Sequence, residues 1–328
     1  MTRLPAEWEE QEYIMVVFPK KTSDWHHSIK EIKKSYVDFI TTLSRFQKCI
    51  VICDNKKRVT SFFTKIQNIE FLEIETNDTW IRDFGAISVY KSGKLHKYNF
   101  RFNAWGEKFD YTLDNSLNQR LLDIGFFDYL ENIDFILEGG SIDSNGNGVM
   151  LTTSRCIFNP NRNKNFSKKQ IETKLKQLFG LKKLIILNHG KLLGDDTDAH
   201  IDTLARFINK DTIVYTKCYD KNDEHFEELQ KMEKELLKTG YKLVPLPLPK
   251  PKIWEGERLP ATYINFVFVN NAVLVPIYND KNDIKVLKKF KKICPNLDII
   301  GIDSSVFIRE RGSLNCASIN FYTEVLQK

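Results

Sequence analysis

The chain has 328 residues, 42% of them hydrophobic and 12% aromatic, and carries a formal net charge of +6. That apolar content is enough for a large core and excludes a disordered chain, and no apolar run approaches the ~20 residues needed to cross a bilayer. The basic excess alternates with acidic residues on candidate helices and never forms a run of five like charges, so no nucleic-acid-binding stripe and no nucleic-acid partner is expected.

In chain order, residues 13–19 read as a buried strand. Residues 28–45 place Ile29, Ile32, Tyr36, Phe39, Ile40 and Leu43 on one helical face. A strand at 49–53, a short helix near 56–66 and a strand at 71–74 follow. The order then repeats. Strands 84–90 and 95–102 turn at Ser92–Gly93, with a helix near 114–124 and a strand at 133–137. A hairpin over 140–158 turns at residues 145–148, before a helix at 167–179 and a strand at 183–187. Strands near 201–208 and 212–216, a helix at 222–239 and a strand at 241–246 form another copy. Strands 262–269 and 272–277, a helix at 282–292 and a strand at 297–302 form the next, and 314–322 would pair with the N-terminal strand. The result is about five strand-strand-helix-strand units with a period near 60 residues, which suggests a circular array around a common centre.

No Pro/Gly/Ser-rich linker divides the chain, so 1–328 is read as a single domain. The proline series Pro245, Pro247, Pro249 and Pro251 reads as an extended surface connection. The first residues lack the apolar core of a signal peptide. The six cysteines (Cys49, Cys53, Cys156, Cys218, Cys294 and Cys316) are too scattered for a disulfide framework and show no CxxC spacing. Free thiols in a reducing cytoplasm follow.

Polar motifs fall where the last strand of one unit hands over to the next. In a circular array these handovers would gather at one end of the axis. The segment Gly194–Asp202 holds four carboxylates and His200 in eight residues. Read as a strand, it would project His200 and Asp202 from one face. A solvated acidic loop, a divalent-metal site and metal-free catalysis are all compatible with it. Cys316 follows Gly312–Ser313, which permits a close backbone approach. It is either a small buried apolar residue or a nucleophile activated by an imidazole such as His200. Trp80-Ile-Arg-Asp83 is compatible with a structural ion pair at a strand end, Glu138 before Gly139–Gly140 with a turn, and Asn103–Gly106 with core and turn.

Taken in order, these segments resemble the agmatine deiminase family, within the bacterial-type peptidylarginine deiminase group of guanidino-modifying enzymes. The matching stretches are Pro5-Ala-Glu-Trp8, Trp80–Asp83, Phe102–Gly106, Glu138–Gly140, Asn159–Asn163 and Asp195–Asp198 with His200 and Asp202. They run from about residue 4 to 322. The sequence departs from the usual pattern at Phe18, Asp143, Ala199, Ser313 and Asn315, none of them a reacting group.

The resemblance implies a five-fold pseudosymmetric α/β propeller of ββαβ units and an enzyme with no metal and no cofactor. It implies catalysis by Cys316, His200, Glu138, Asp83 and Asp202. Asp83 and Asp202 would grip a planar guanidinium, with Trp80 also in the substrate site. Cys316 would attack the central carbon, and His200, oriented by Glu138, would move the protons. The expected substrate is a small guanidino compound, agmatine, hydrolysed to N-carbamoylputrescine and ammonia through a thiouronium on Cys316. Rival readings are a deiminase of free or peptidyl arginine, an amidinotransferase, a metal-dependent hydrolase using Asp195, Asp196, Asp198 and His200, and a non-enzymatic propeller that binds RNA or protein. Free arginine would need a cation for its carboxylate, with Arg101, Arg206, Arg309 and Arg311 as candidates. A homo-oligomer is compatible with the sequence.

Overall fold

The computed structural model describes residues 2–324. Five mixed sheets recur, each with one antiparallel and one parallel pairing about a central strand. In the second unit, Lys94–Arg101 lies antiparallel to Ile87–Lys91 and parallel to Glu131–Ile136. The third is built from Ile142–Ser144, Val149–Thr153 and Lys183–Leu187. The fourth uses Ala205–Asn209, Thr212–Lys217 and Lys242–Pro247. The fifth uses Val267–Val269, Ala272–Ile277 and Asp298–Asp303.

The first unit takes its outer strand from the far end of the chain. Ser318–Tyr322 runs antiparallel to Gln11–Val17, which is parallel to Lys48–Cys53. Ile69–Glu73 adds a fourth strand to that sheet, and Thr2–Arg3 adds one to the second unit.

Helices cross between the parallel strands, as such pairs require. Ile29–Leu43 buries Ile32, Tyr36, Phe39, Ile40 and Leu43 at the spacing read from the sequence, while Ile29 in the first turn stays half-exposed. Lys168–Phe179 is bounded by a Ser167/Gln170 capping box and by Gly180 at φ 62°. Gly180 also sits against the Thr2 carbonyl, where a Cβ would come within 1.9 Å.

Buried apolar seams join neighbouring units. Ile87, Val89 and Phe135 of the second pack with Met150 and Leu175 of the third. Leu151 and Ile185 of the third pack with Ile213 and Leu229 of the fourth, and Val214 and Val244 of the fourth with Phe268 and Val273 of the fifth. The core of the first unit reaches Phe84 and Phe102 on one side and Val269 and Leu274 of the fifth on the other. No unit buries both faces of its sheet alone.

Several sequence expectations change at the handovers. The strand expected from 84 is preceded by a short helix, Ile81–Phe84, and begins at Ile87. The strand expected from 201 is a 3-10 turn, Ile201–Thr203, with the strand from Ala205. The expected strand 262–269 is reduced to Val267–Val269, and that at 314–322 to Ser318–Tyr322. Local hydrogen bonds replace the ladder, as with Leu204 N–H to Ile201 C=O at 3.0 Å and Ile264 N–H to Thr262 Oγ1 at 3.2 Å. Pro245 and Pro247 are not loop residues. They lie in Lys242–Pro247, a strand bonded on one side, where a missing N–H costs little.

Candidate active site

The handover turns converge. Gly140, in the turn after Glu138, has no side chain where one would collide. A Cβ there would stand 2.7 Å from His200 Nδ1, 2.8 Å from Asp83 Oδ1 and 3.1 Å from Asp202 Oδ2. A bare backbone face is thus surrounded by an imidazole and two carboxylates. Asp83, Asp202 and Cys316 also line a cavity of about 620 Å³, together with Trp80 and Trp105.

Asp83 is buried, and its orientation is fixed from two sides. Its Oδ1 accepts from Gly140 N–H at 2.9 Å, and its Oδ2 from the Trp105 indole N–H at 2.9 Å. That indole is aimed by a strained stretch in which Ala104 and Trp105 both have positive φ (48° and 54°). Asn103 braces the stretch by accepting from Gly106 N–H. Arg82 turns away from Asp83, toward the Asn315 carbonyl, Asn320 and Glu7. The ion pair that Trp80-Ile-Arg-Asp83 allowed is therefore not made with Arg82. The Trp80 ring packs at Gly312, where a Cβ would fall 2.4 Å from it.

Asp202 Oδ2 accepts from Asn315 Nδ2 at 2.9 Å and Asn265 Nδ2 at 3.1 Å. Its Oδ1 is buried without a partner. His200 and Asp202 come together, but through a turn and not through strand alternation. Both His200 ring nitrogens are buried and unpartnered, and Nδ1 is 3.6 Å from Asp83 Oδ1.

Glu138 is fully buried, and its two oxygens take the Arg162 Nε–H at 2.7 and 3.0 Å. The remainder of the Arg162 fork holds Asp198 Oδ2 at 2.8 Å and the Thr197 carbonyl at 2.9 Å. The guanidinium thus ties Glu138 to the acidic segment, and Glu138 faces His200 without a hydrogen bond to it.

The acidic segment is largely a structural turn. Asp198 and Ala199 lie at φ 69° and 68°. Asp195 secures them by accepting from Thr197 Oγ1 at 2.6 Å and Ala199 N–H at 2.7 Å. Asp198 pairs with Arg162 and Lys108. Asp196 lines the cavity. The metal set Asp195, Asp196, Asp198 and His200 does not assemble among the described residues. The cluster with metal-ligand spacing is Glu138, Cys156 and His200. There the Arg162 cation already occupies Glu138, and burial holds the Cys156 thiol well above its usual pKa.

Burial dominates the electrostatics. It raises Asp83 well above the ordinary carboxylate range, with Asp202 adding to the effect, and raises Asp202 to about 6. It lifts the Cys316 thiol well above its usual value, helped by Asp202 and Asp83. It lowers His200 well below the usual imidazole range, reinforced by Arg162. Burial therefore favours the neutral form of each group, and a planar cation between the carboxylates would oppose that shift.

Farther out, the cavity wall carries Asp24, Asp78, Asp196, Glu255, Glu257 and Glu310. Its arginines are engaged. Arg258 pairs with Asp223 at 2.7 Å and Arg311 with Glu257 at 3.0 Å, while Arg309 lies 3.9 Å over the Trp254 ring and near Glu31. Of the other arginines considered for a substrate carboxylate, Arg206 is buried against Glu7 and Asp143, and Arg101 pairs with Asp134.

The family model for Porphyromonas-type peptidyl-arginine deiminases matches residues 3–321. The chain belongs to that family. A Cys→Ser variant of C. jejuni agmatine deiminase with substrate bound is 51% identical, with a TM-score of 0.97 over 99% of this chain and 98% of that one. The agmatine deiminase of Enterococcus faecalis is 26% identical, with a TM-score of 0.90 over 99% and 96%. The fold likeness extends to an amidinotransferase of saxitoxin biosynthesis from Microseira wollei, at 12% identity and a TM-score of 0.57.

Arg162, Trp105, Cys156 and Asn265 were not assigned to the site from sequence. Arg162 and Trp105 lie inside family-matching stretches, so a signal was present. Asn265 offered only a single amide in the apolar run Tyr263–Val269.

Proposed function

We propose that this chain is an agmatine deiminase, hydrolysing the guanidinium of agmatine to N-carbamoylputrescine and ammonia. The observation that carries the reading is one pocket lined by the Asp83 and Asp202 carboxylates and the Cys316 thiol, with His200 Nδ1 3.6 Å from Asp83 Oδ1. It suits a flat cation with N–H groups on its edges. The five apolar seams support closure of the units into a five-fold α/β propeller.

In this reading the substrate cation offsets the burial that raises Asp83 and Asp202 and so holds both carboxylates ionised. The Cys316 proton passes to neutral His200, and the sulfur bonds to the central guanidinium carbon. Imidazolium at His200 then protonates the departing nitrogen as the C–N bond breaks, releasing ammonia. Water, deprotonated by His200, adds to the thiouronium carbon. The C–S bond breaks, the ureido product leaves and the thiol is restored. Glu138, fixed by Arg162, supplies negative charge near His200 when it becomes cationic. No step requires a metal or cofactor.

The pocket walls favour a substrate without a carboxylate. Nine acidic side chains line the cavity against three arginines, each already engaged. These local charges draw in a dication despite the net charge of +6. No helix among the described residues is long and apolar enough to cross a membrane, and all six cysteines are free. Both features suit a cytoplasmic enzyme that acts on a small molecule. The test is a panel of agmatine, free arginine and arginyl peptides, scored for ureido product. Agmatine should lead in kcat/KM, and citrulline forming faster than N-carbamoylputrescine would overturn the assignment.

A further inference from the structure

The residues gathered at the site come from the turns that precede each unit's first strand. Asp83 lies before Ile87–Lys91, Glu138 before Ile142–Ser144, Asp202 before Ala205–Asn209 and Cys316 before Ser318–Tyr322. The corresponding turn of the fifth unit, before Val267–Val269, carries Asn265. Asn265 is fully buried at the centre of this group.

Its amide orientation is determined by its partners. Oδ1 accepts from the backbone N–H groups of Asn315 at 2.9 Å and Cys316 at 3.3 Å, so the NH₂ must face the other way. There it reaches Cys316 Sγ at 3.3 Å and Asp202 Oδ2 at 3.1 Å. One side chain thus fixes the nucleophile's backbone and points N–H bonds at its sulfur and at a substrate-gripping carboxylate.

We propose that Asn265 is the fifth unit's catalytic residue, whose amide N–H stabilises the Cys316 thiolate while its carbonyl fixes the turn that carries the sulfur. The inference rests on reading Cys316 as the nucleophile. The chemical need is specific. Asp83 and Asp202 both oppose a second negative charge on sulfur, and neither ring nitrogen of His200 bonds to it in the empty site. A neutral donor stabilises the anion without repelling the guanidinium, as a lysine there would. Hydrogen bonding to Asp202 Oδ2 leaves Oδ1 free for the substrate.

The experiment compares Asn265→Ala and Asn265→Asp with the native chain. Asn265→Asp keeps the shape and the backbone acceptor but puts a carboxylate where the N–H donor stood. The main readout is the pH midpoint for iodoacetamide alkylation of Cys316, followed by peptide mass spectrometry without substrate. Kinetics and melting temperature come from the same preparations. The midpoint should rise by about 1 pH unit in the Ala variant and further in the Asp variant. kcat/KM for agmatine should fall at least about tenfold in both, since hydrogen bonds to charged groups are the stronger class. An unchanged midpoint in a folded variant would overturn the proposal, whatever happens to kcat. If one variant does not fold, the other decides. Failure of the functional reading is distinguishable, because Cys316→Ala would then remain active.

Discussion

Gly140 donates its backbone N–H to Asp83 Oδ1 at 2.9 Å, and a Cβ on it would stand only 2.7 Å from His200 Nδ1 and 2.8 Å from that same oxygen. One residue therefore both orients a carboxylate and lets the imidazole and the two carboxylates close in on a bare backbone. Gly140→Ala places a methyl against His200 and Asp83. We expect kcat/KM to fall at least about 10²-fold, as a displacement of order 1 Å does in positioned catalysis. Steady-state kinetics beside a melting curve check this. Near-native turnover would show that this close packing does not position the reacting groups.

Asp202→Asn and Asp83→Asn should each cost at least about 10²-fold in kcat/KM, through loss of charge-assisted bonds to one guanidinium. The double variant should lose less than the product of the two, because both act on one group. An unaltered kcat/KM in Asp83→Asn would remove that residue from the grip.

Stability should move the other way. The Asp202 carboxyl has its pKa raised from 3.8 to about 6 by burial, so it binds its proton more tightly in the folded chain than in the unfolded one. Stability is then lost as pH rises through that window. Asp202→Asn escapes the loss. Its melting temperature should exceed that of the native chain by a few degrees at pH 7.5, and the difference should shrink toward pH 4. A variant less stable at pH 7.5 would mean that the charge is already compensated in the empty site.

The same sign governs binding. Because Asp83 and Asp202 are protonated more readily than ordinary carboxyls, loading a cation between them expels protons. Calorimetry with Cys316→Ala, in buffers of different ionisation enthalpy, should record net proton release near pH 6, and agmatine affinity should weaken below that pH. Binding without proton release would place the cation elsewhere. Cys316→Ala itself should lack turnover, and agmatine should protect native Cys316 from alkylation.

Chelator dialysis should leave kcat unchanged. Arg162 already pairs with Glu138 and Asp198, and Asp195 is spent on the Thr197–Ala199 turn. A loss of activity restored by a divalent ion would reinstate the metal reading.

The repeat, the helices and the handover motifs were legible because period and apolar spacing extend over many residues. Ile32, Tyr36, Phe39 and Ile40 show this directly. The starts of the first strands were not, since turn hydrogen bonds around Ile201–Thr203 and Ile81–Phe84 leave no periodic trace. Asp83, Glu138, His200 and Asp202 were nameable because the motifs that carry them match the family in order, while each motif alone was equally compatible with a turn or an ion pair. Arg162 was hidden in a motif read only as a match, and its grip on Glu138 depends on two units meeting in space. Asn265 lay in an apolar run, and its value arises only once the turn carrying Cys316 folds over it.

The pairing of Ser318–Tyr322 with Gln11–Val17 sets a condition on biosynthesis. Cys316 emerges from the ribosome after every other group in the site, and its turn is anchored through a strand that must find Gln11–Val17, made long before it. Until then Gln11–Val17 presents an open edge on that side, and the carboxylates have no sulfur beside them. A truncated product would thus be catalytically silent. Because these two distant segments are hydrogen-bonded neighbours, joining them with a short linker and opening the chain at the exposed Glu255–Gly256 tip should give a permutant that keeps this strand pairing.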